Sequence, residues 1–248
     1  MKSNQILAGT AAVALLVGGY TAHAAPNGGL PTGNDPVQLE PSDFTTRIDN
    51  PYRPIRPGDR SVFRVTDAEG LRERSVVKVT HGTKLIANGV TARVVYTKVF
   101  EDGKLIEDNH AWYAQDDNGN VWYLGERARE IENGEVTSTK GSWEAGVDGA
   151  QPGVVMPAHP KVGLAYREEY AKGVAQDRAK VFSRRERAEV PFRRFPSGVL
   201  LTKETSPLDP PGFLDYKFYA RGVGPVLGIE ISGGSDREEL VRFRRGRE

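Results

Sequence analysis

The chain has no cysteine among its 248 residues. That excludes disulfide staples, thiol chemistry, a cysteine-containing zinc site and lipid attachment through a cysteine behind a leader. Stability must then come from burial and hydrogen bonding. Net charge is almost missing too: 34 basic residues stand against 33 acidic ones, so no global field draws the chain to nucleic acid or to an anionic membrane. No long amphipathic helical pattern occurs, which argues against alternating α/β units. The histidines at 23, 81, 110 and 159 show no H-x-H, H-x-x-x-H or H-E-x-x-H spacing, and G-x-S-x-G is absent. Local signatures of a zinc site and of a serine-hydrolase elbow are therefore lacking, and no cofactor is expected.

The long uncharged apolar stretch, 6–19, lies at the start. Behind Lys2 and ahead of Ala22-His23-Ala24 it has the form of an export signal, 1–24, cleaved near Ala24. A membrane span needs about 20 apolar residues, so no integral span is expected, and the product is placed in the periplasm or outside the cell. Lys2 leaves with the signal, so 33 bases balance 33 acids. From 25 to 42 the chain is rich in Pro, Gly and Asn, which predicts a flexible leader. The remainder, 43–248, is predicted to be a single β domain, opened by Phe44, Ile48 and Tyr52 wrapped against its edge between prolines.

Strand patterns follow at 61–66, 72–80, 90–101, 104–115, 120–126, 129–132 and 135–140, and again at 164–170, 177–190, 198–205, 213–220, 226–232 and 238–243. Each is rich in β-branched or aromatic residues. Between the first of them stand Glu69-Gly70, Asn88-Gly89, Asp102-Gly103, Asn118-Gly119 and Asn133-Gly134, turn steps that tolerate positive φ and predict successive hairpins. The fold class is mainly β: a strongly curved antiparallel meander of about twelve strands, half-barrel or barrel. The interval 141–163, with five glycines and three prolines, is expected to be a long ordered connection or functional loop. Ten acids in 100–135 and eight bases in 178–203 suggest two charged segments facing each other across the sheet.

Several motifs resemble a group of exported bacterial β proteins to which no activity is assigned. They are Asp49-Asn50-Pro51-Tyr52-Arg53-Pro54, Trp112-Tyr113-Ala114-Gln115-Asp116, Gly119-Asn120-Val121-Trp122-Tyr123, Gly141-Ser142-Trp143-Glu144-Ala145-Gly146, Pro160-Lys161-Val162-Gly163 and Gly222-Val223-Gly224. The opening Pro-Gly and the late Gly-Val-Gly also resemble the curved sheets of LolA-like lipoprotein domains. The resemblance implies architecture and no chemistry.

The candidate site rests on aromatics. Trp112, Tyr113, Trp122, Tyr123 and Trp143, with Glu144 and His110 as polar contacts, form either a cross-strand core cluster or the lining of a pocket in the curved sheet. Asp116-Asp117-Asn118-Gly119-Asn120 lacks the order of an EF-hand loop and fits a hairpin turn. The functional reading is a binding protein for a small apolar or amphipathic ligand. One alternative is a hydrolase or isomerase using Glu144, Asp148 and Glu168 with His110 or His159. The other is an envelope scaffold built on the opposed charges. Whether the chain is catalytic, and its oligomeric state, are left open by the sequence.

Overall fold

The structure is a computed structural model describing residues 29–70 and 72–246. The export signal falls outside the described residues. The first half contains β1 (Phe44–Thr45), β2 (Arg60–Thr66), β3 (Arg72–Leu85), β4 (Thr91–Glu101), β5 (Lys104–Asp116), β6 (Val121–Arg127), β7 (Glu130–Glu132), β8 (Glu135–Ser138) and β9 (Trp143–Glu144). The second contains β10 (Gln151–Met156), β11 (Ala165–Arg167), β12 (Glu169–Tyr170), β13 (Arg178–Val190), β14 (Arg193–Thr205), β15 (Leu214–Ala220), β16 (Gly224–Ser232) and β17 (Arg237–Arg244).

Hairpin chemistry explains the order. Asp102-Gly103 (φ 47° and 80°) and Asn133-Gly134 (φ 52° and 86°) adopt the doubly positive turn that matches strand twist. Strands β2 to β6 form one antiparallel meander and β13 to β17 another. β17 pairs with β2 on one side. On the other, β6 pairs with β10, β10 with β12, and β11 with β13. β11 and β12 are one run of chain interrupted at Glu168, so the pairings travel around the molecule and the sheet curls into a nearly closed barrel. The seam is short: β10 and β12 share only the Gln151–Tyr170 and Pro152–Glu169 positions.

Period-two alternation sorts the side chains. Ser61 and Phe63 of β2, Ser75, Val77 and Val79 of β3, and Val95 and Thr97 of β4 all line the interior. Two apolar clusters hold the wall together. One gathers all three tryptophans with Leu124, Val154, Met156 and Leu200, and the other gathers Phe63, Phe195, Val199, Val226 and Leu240. Each such side chain withdrawn from water contributes about 1.5–3 kcal/mol before chain entropy is subtracted.

Three expectations need correcting. The glycine-rich interval 141–163 contains β9 and the barrel strand β10, whose Val154 and Met156 are fully buried. Gly153 and Gly146 sit against neighbouring backbone, while Gly141, Gly149 and Gly163 supply positive φ at turns. The described part of the expected leader, 29–42, is docked: Leu30, Val37 and Leu39 pack on the core. Arg167, 1% exposed, donates from Nη1 to the Asp35 carbonyl (2.8 Å) and from Nη2 to the Pro152 carbonyl (2.8 Å). A buried guanidinium needs such acceptors, and this segment supplies one. Finally, the basic hairpin β13–β14 pairs with β11 and β15, whereas the acidic β5 pairs with β1, β4, β6 and β7. The two charged segments do not face each other across paired strands.

Candidate functional site

The barrel encloses a cavity of about 340 Å³. Its apolar lining comes from Phe63, Val77, Val79 and Val95 of β2 to β4 with Val223 and Phe243, beside Ser61, Ser75 and Thr97 of the same strands. The same cavity is lined by Arg53, Tyr113, Tyr123, Glu168, Glu169, Asp177, Lys217, Tyr219 and Glu238.

Each polar group arrives by a distinct local device. Arg53 belongs to the proline-bounded segment ahead of β2, and its guanidinium lies 5.5 Å from the centroid of the Tyr113 ring. Asn50, 3% exposed, fixes that segment. Its Oδ1 accepts from the Tyr52 and Arg53 amides (2.9 and 3.2 Å), and its Nδ2 donates to the carbonyls of Gly119 and Pro157 (3.0 and 3.2 Å). Tyr113 and Tyr123 are cross-strand partners in β5 and β6, and their rings stack at 4.9 Å. Lys217 and Tyr219 alternate inward on β15 and converge on Glu204 of β14. Glu204 forms an ion pair with Lys217 and accepts from the hydroxyls of Thr202 (3.0 Å) and Tyr219 (3.2 Å).

Glu168 and Glu169 are consecutive yet both line the cavity, which regular alternation forbids. The break between β11 and β12 makes it possible. The amides of Glu168 and Glu169 both donate to the Asp177 carbonyl (2.8 and 3.4 Å), turning the chain inward at Glu168. Gly153 of β10 makes room for this bulge. A methyl group on it would stand 2.6 Å from the Arg167 carbonyl oxygen and still closer to the Glu168 carbonyl.

Electrostatics follow from this crowding. Burial holds Glu168 well above the usual carboxylate range, and nearby Glu204 and Asp177 push it further. Glu169 is raised to about 8 by burial and by Asp177 and Glu126, although Trp143 Nε1 donates to its Oε2 at 3.0 Å. Burial lifts Glu126 to about 7 against the opposing hydrogen bond with Tyr123. Asp177 and Glu238 are raised by burial as well. Burial alone would lower Lys217, but Glu204, Tyr219 and Glu168 outweigh it and hold the ammonium above its ordinary value. At neutral pH Glu169 thus keeps a proton that it would lose in water.

The seven residues expected at the site are divided among three places. Tyr113 and Tyr123 line the interior cavity. His110, Trp112, Trp143 and Glu144 line a separate groove on the outer face together with Lys84, Tyr96 and Asp148. Trp122 lines neither: its Nε1 donates to Asp116 Oδ2 (2.8 Å) and its ring packs edge-on against Phe44. Asp116 also accepts from the Asn120 amide and side chain (both 2.8 Å), so the Asp-rich run is a hairpin turn with a committed carboxylate. Trp143 connects the two faces, meeting Tyr123 edge to face at 5.3 Å and reaching Glu169.

Structural contacts account for much of the outer groove. Glu144 accepts from the Ala87 amide and pairs with Lys84 (both 2.9 Å), which pins β9 to the β3–β4 turn. His110 stacks on Tyr96 at 4.0 Å and lies 2.7 Å from Arg127 Nη2. Burial and that guanidinium lower its pKa.

With this geometry established, comparison with known proteins adds little. No family model matches the chain, and no curated protein matches it. Two solved structures are similar in shape. One is a Bacteroides fragilis protein described as exported with a YmcC-like fold, at 14% identity over 79% of this chain and 99% of that one, TM-score 0.44. The other, described as a lipoprotein from Parabacteroides distasonis, is 12% identical over the same shares, TM-score 0.44.

Sequence reasoning reached Tyr113 and Tyr123 through the paired aromatic strands, and Glu168 through the acid–base alternative. It missed Arg53, Glu169, Asp177, Lys217, Tyr219 and Glu238 as cavity groups. Lys217-Phe218-Tyr219 in a strand carried a usable signal, since a charged residue and a tyrosine on one face require a polar interior or solvent.

Proposed function

We propose that the chain is an exported binding protein that holds a small amphipathic molecule inside its barrel. The observation that carries this reading is the cavity itself: about 340 Å³, lined by valines and phenylalanines together with tyrosines and ionisable groups. Ligand sites of this kind are concave, mostly apolar, and oriented by a few convergent polar groups. A protein that needed only stability would fill such a space, because unfilled volume forfeits dispersion contacts. The export-signal pattern of 1–24 supports a location outside the cytoplasm.

Hydrolysis by the acid–base set considered from sequence finds less support. Glu168 faces the interior, Glu144, Asp148 and His110 border the outer groove, and His159 borders a third depression beside Asn50 and Lys161. Proton transfer needs its groups within hydrogen-bond reach of one reacting centre.

Protein purified from its native host, denatured and extracted with organic solvent should release a stoichiometric small molecule detectable by mass spectrometry. Once emptied and refolded, it should bind an apolar fluorophore with a change in tryptophan emission through Trp143. No extractable molecule together with no probe binding would refute the reading.

A further inference from the structure

We propose that the molecule held in the cavity carries a cationic nitrogen head on an apolar tail, with Glu168 as its counter-ion. This rests on the binding reading above and names the chemistry of the ligand.

The first argument is the excess of carboxyl groups in the wall, which a bound cation would help to ionise. Five acids line the cavity, Asp59, Glu168, Glu169, Asp177 and Glu238, against two bases, Arg53 and Lys217. Lys217 is already neutralised by Glu204. Arg53 lies over Tyr113. The second argument is independent of that count. Glu168 is 7% exposed and lines the cavity, and among the described residues no group stands within hydrogen-bond or ion-pair distance of its carboxylate; the cation it feels is Lys217, which is bonded to Glu204. A carboxyl so placed has no close partner of its own, and the open space it faces is where one fits. Glu204, equally buried, has three partners by contrast.

Three tyrosine rings complete the arrangement. Tyr113, Tyr123 and Tyr219 line the same cavity, and aromatic faces beside carboxylates suit an alkylammonium head through cation–π attraction. The valine lining takes the tail. One feature favours an anion instead: Arg53 Nε is buried without a partner. The choice of probes below therefore includes a carboxylate.

Protonation links head and pH. Glu168 and Glu169 share the cavity with Asp177, Glu238, Lys217, Arg53 and the three tyrosines and lie near Glu204 and Glu126, and burial among these acids raises both, Glu169 to about 8. A cation beside them favours the ionised carboxylates, so binding should release protons and strengthen as pH rises.

Calorimetric titration of the purified protein with octylamine, octanoate and 1-octanol tests this. An alkylamine titrates like lysine, near 10.4, and stays charged from about pH 6 to 8.5. Octylamine should bind roughly 10-fold more tightly than octanoate and gain about 10-fold between those pH values. Titrations in two buffers of different ionisation heat should register proton release. Glu168→Gln, checked for folding by far-UV circular dichroism, should weaken octylamine roughly 10-fold. The wild-type series stands without the variant. Octanoate or 1-octanol binding as tightly as octylamine would overturn the cationic head while leaving the cavity reading intact. Unchanged octylamine affinity in folded Glu168→Gln would overturn the counter-ion assignment. Failure of all three probes would overturn both readings.

Discussion

Glu169 shows how one side chain ties the cavity to stability. In the fold its carboxyl titrates near 8, against 4.5 for the free side chain, because it is buried beside Asp177 and Glu126. The native state therefore binds more protons than the unfolded state between those values. By linkage, stability is greatest below the unfolded pKa and declines as pH rises from about 4.5 to 8. Glu126 and Asp215, raised to about 7 and about 6, act in the same direction over narrower windows. We expect the urea midpoint to fall from pH 5 to pH 8.5. Glu169→Gln keeps an acceptor for Trp143 Nε1 and removes the titration, so it should flatten this slope and raise stability at pH 8.5 by a few kcal/mol. An unchanged slope in the variant would show that other groups set it.

At the scale of the strand, β10 explains why so much of the site escaped sequence reading. Gln151-Pro152-Gly153 interrupts any strand pattern, yet Gly153 is the position that the Glu168 bulge needs. Gly153→Ala should cost ~2–4 kcal/mol in denaturant unfolding, because backbone must move rather than a flexible side chain. Gly103→Ala is the contrasting case. Nothing stands within 4 Å of the added methyl group, and only the positive φ of 80° opposes it, at about 1 kcal/mol. Equal costs would contradict the packing account. The hairpins were legible because their turns and alternation are local, so β2 to β8 and β13 to β17 follow closely from residue pattern. The interior acids were not, because Tyr166-Arg167-Glu168-Glu169-Tyr170 has the look of one regular strand. Its inward turn is set by Asp177 and Gly153, both distant or hidden in sequence. The tryptophans misled for a related reason. Trp112 and Tyr113 are adjacent and must point to opposite faces, and the side that faces the cavity is decided by barrel curvature.

For the molecule as a whole, the two apolar clusters raise the question of independent halves. Both include Val77 at their margins, and the sheet pairings pass continuously from β13 through β17 into β2 to β6. Unfolding should therefore be one cooperative event. All three tryptophans report the first cluster only, whereas far-UV circular dichroism reports the entire sheet. Their denaturant midpoints should coincide. Separate midpoints would divide the barrel into two folding units.

The β17–β2 pairing also governs how the chain can be assembled as it is delivered from its N-terminus. Arg64 and Glu239, bonded at 2.7 Å across that pair, are 175 residues apart in sequence. β2 is among the first strands to emerge and the last to receive its second neighbour. Throughout that interval it is an exposed edge, the kind of surface on which nascent chains pair with the wrong partner. Arg60 and Arg64 put positive charge on this short strand, a feature that discourages edge-to-edge pairing. The same Arg64 then closes the ring once Glu239 arrives.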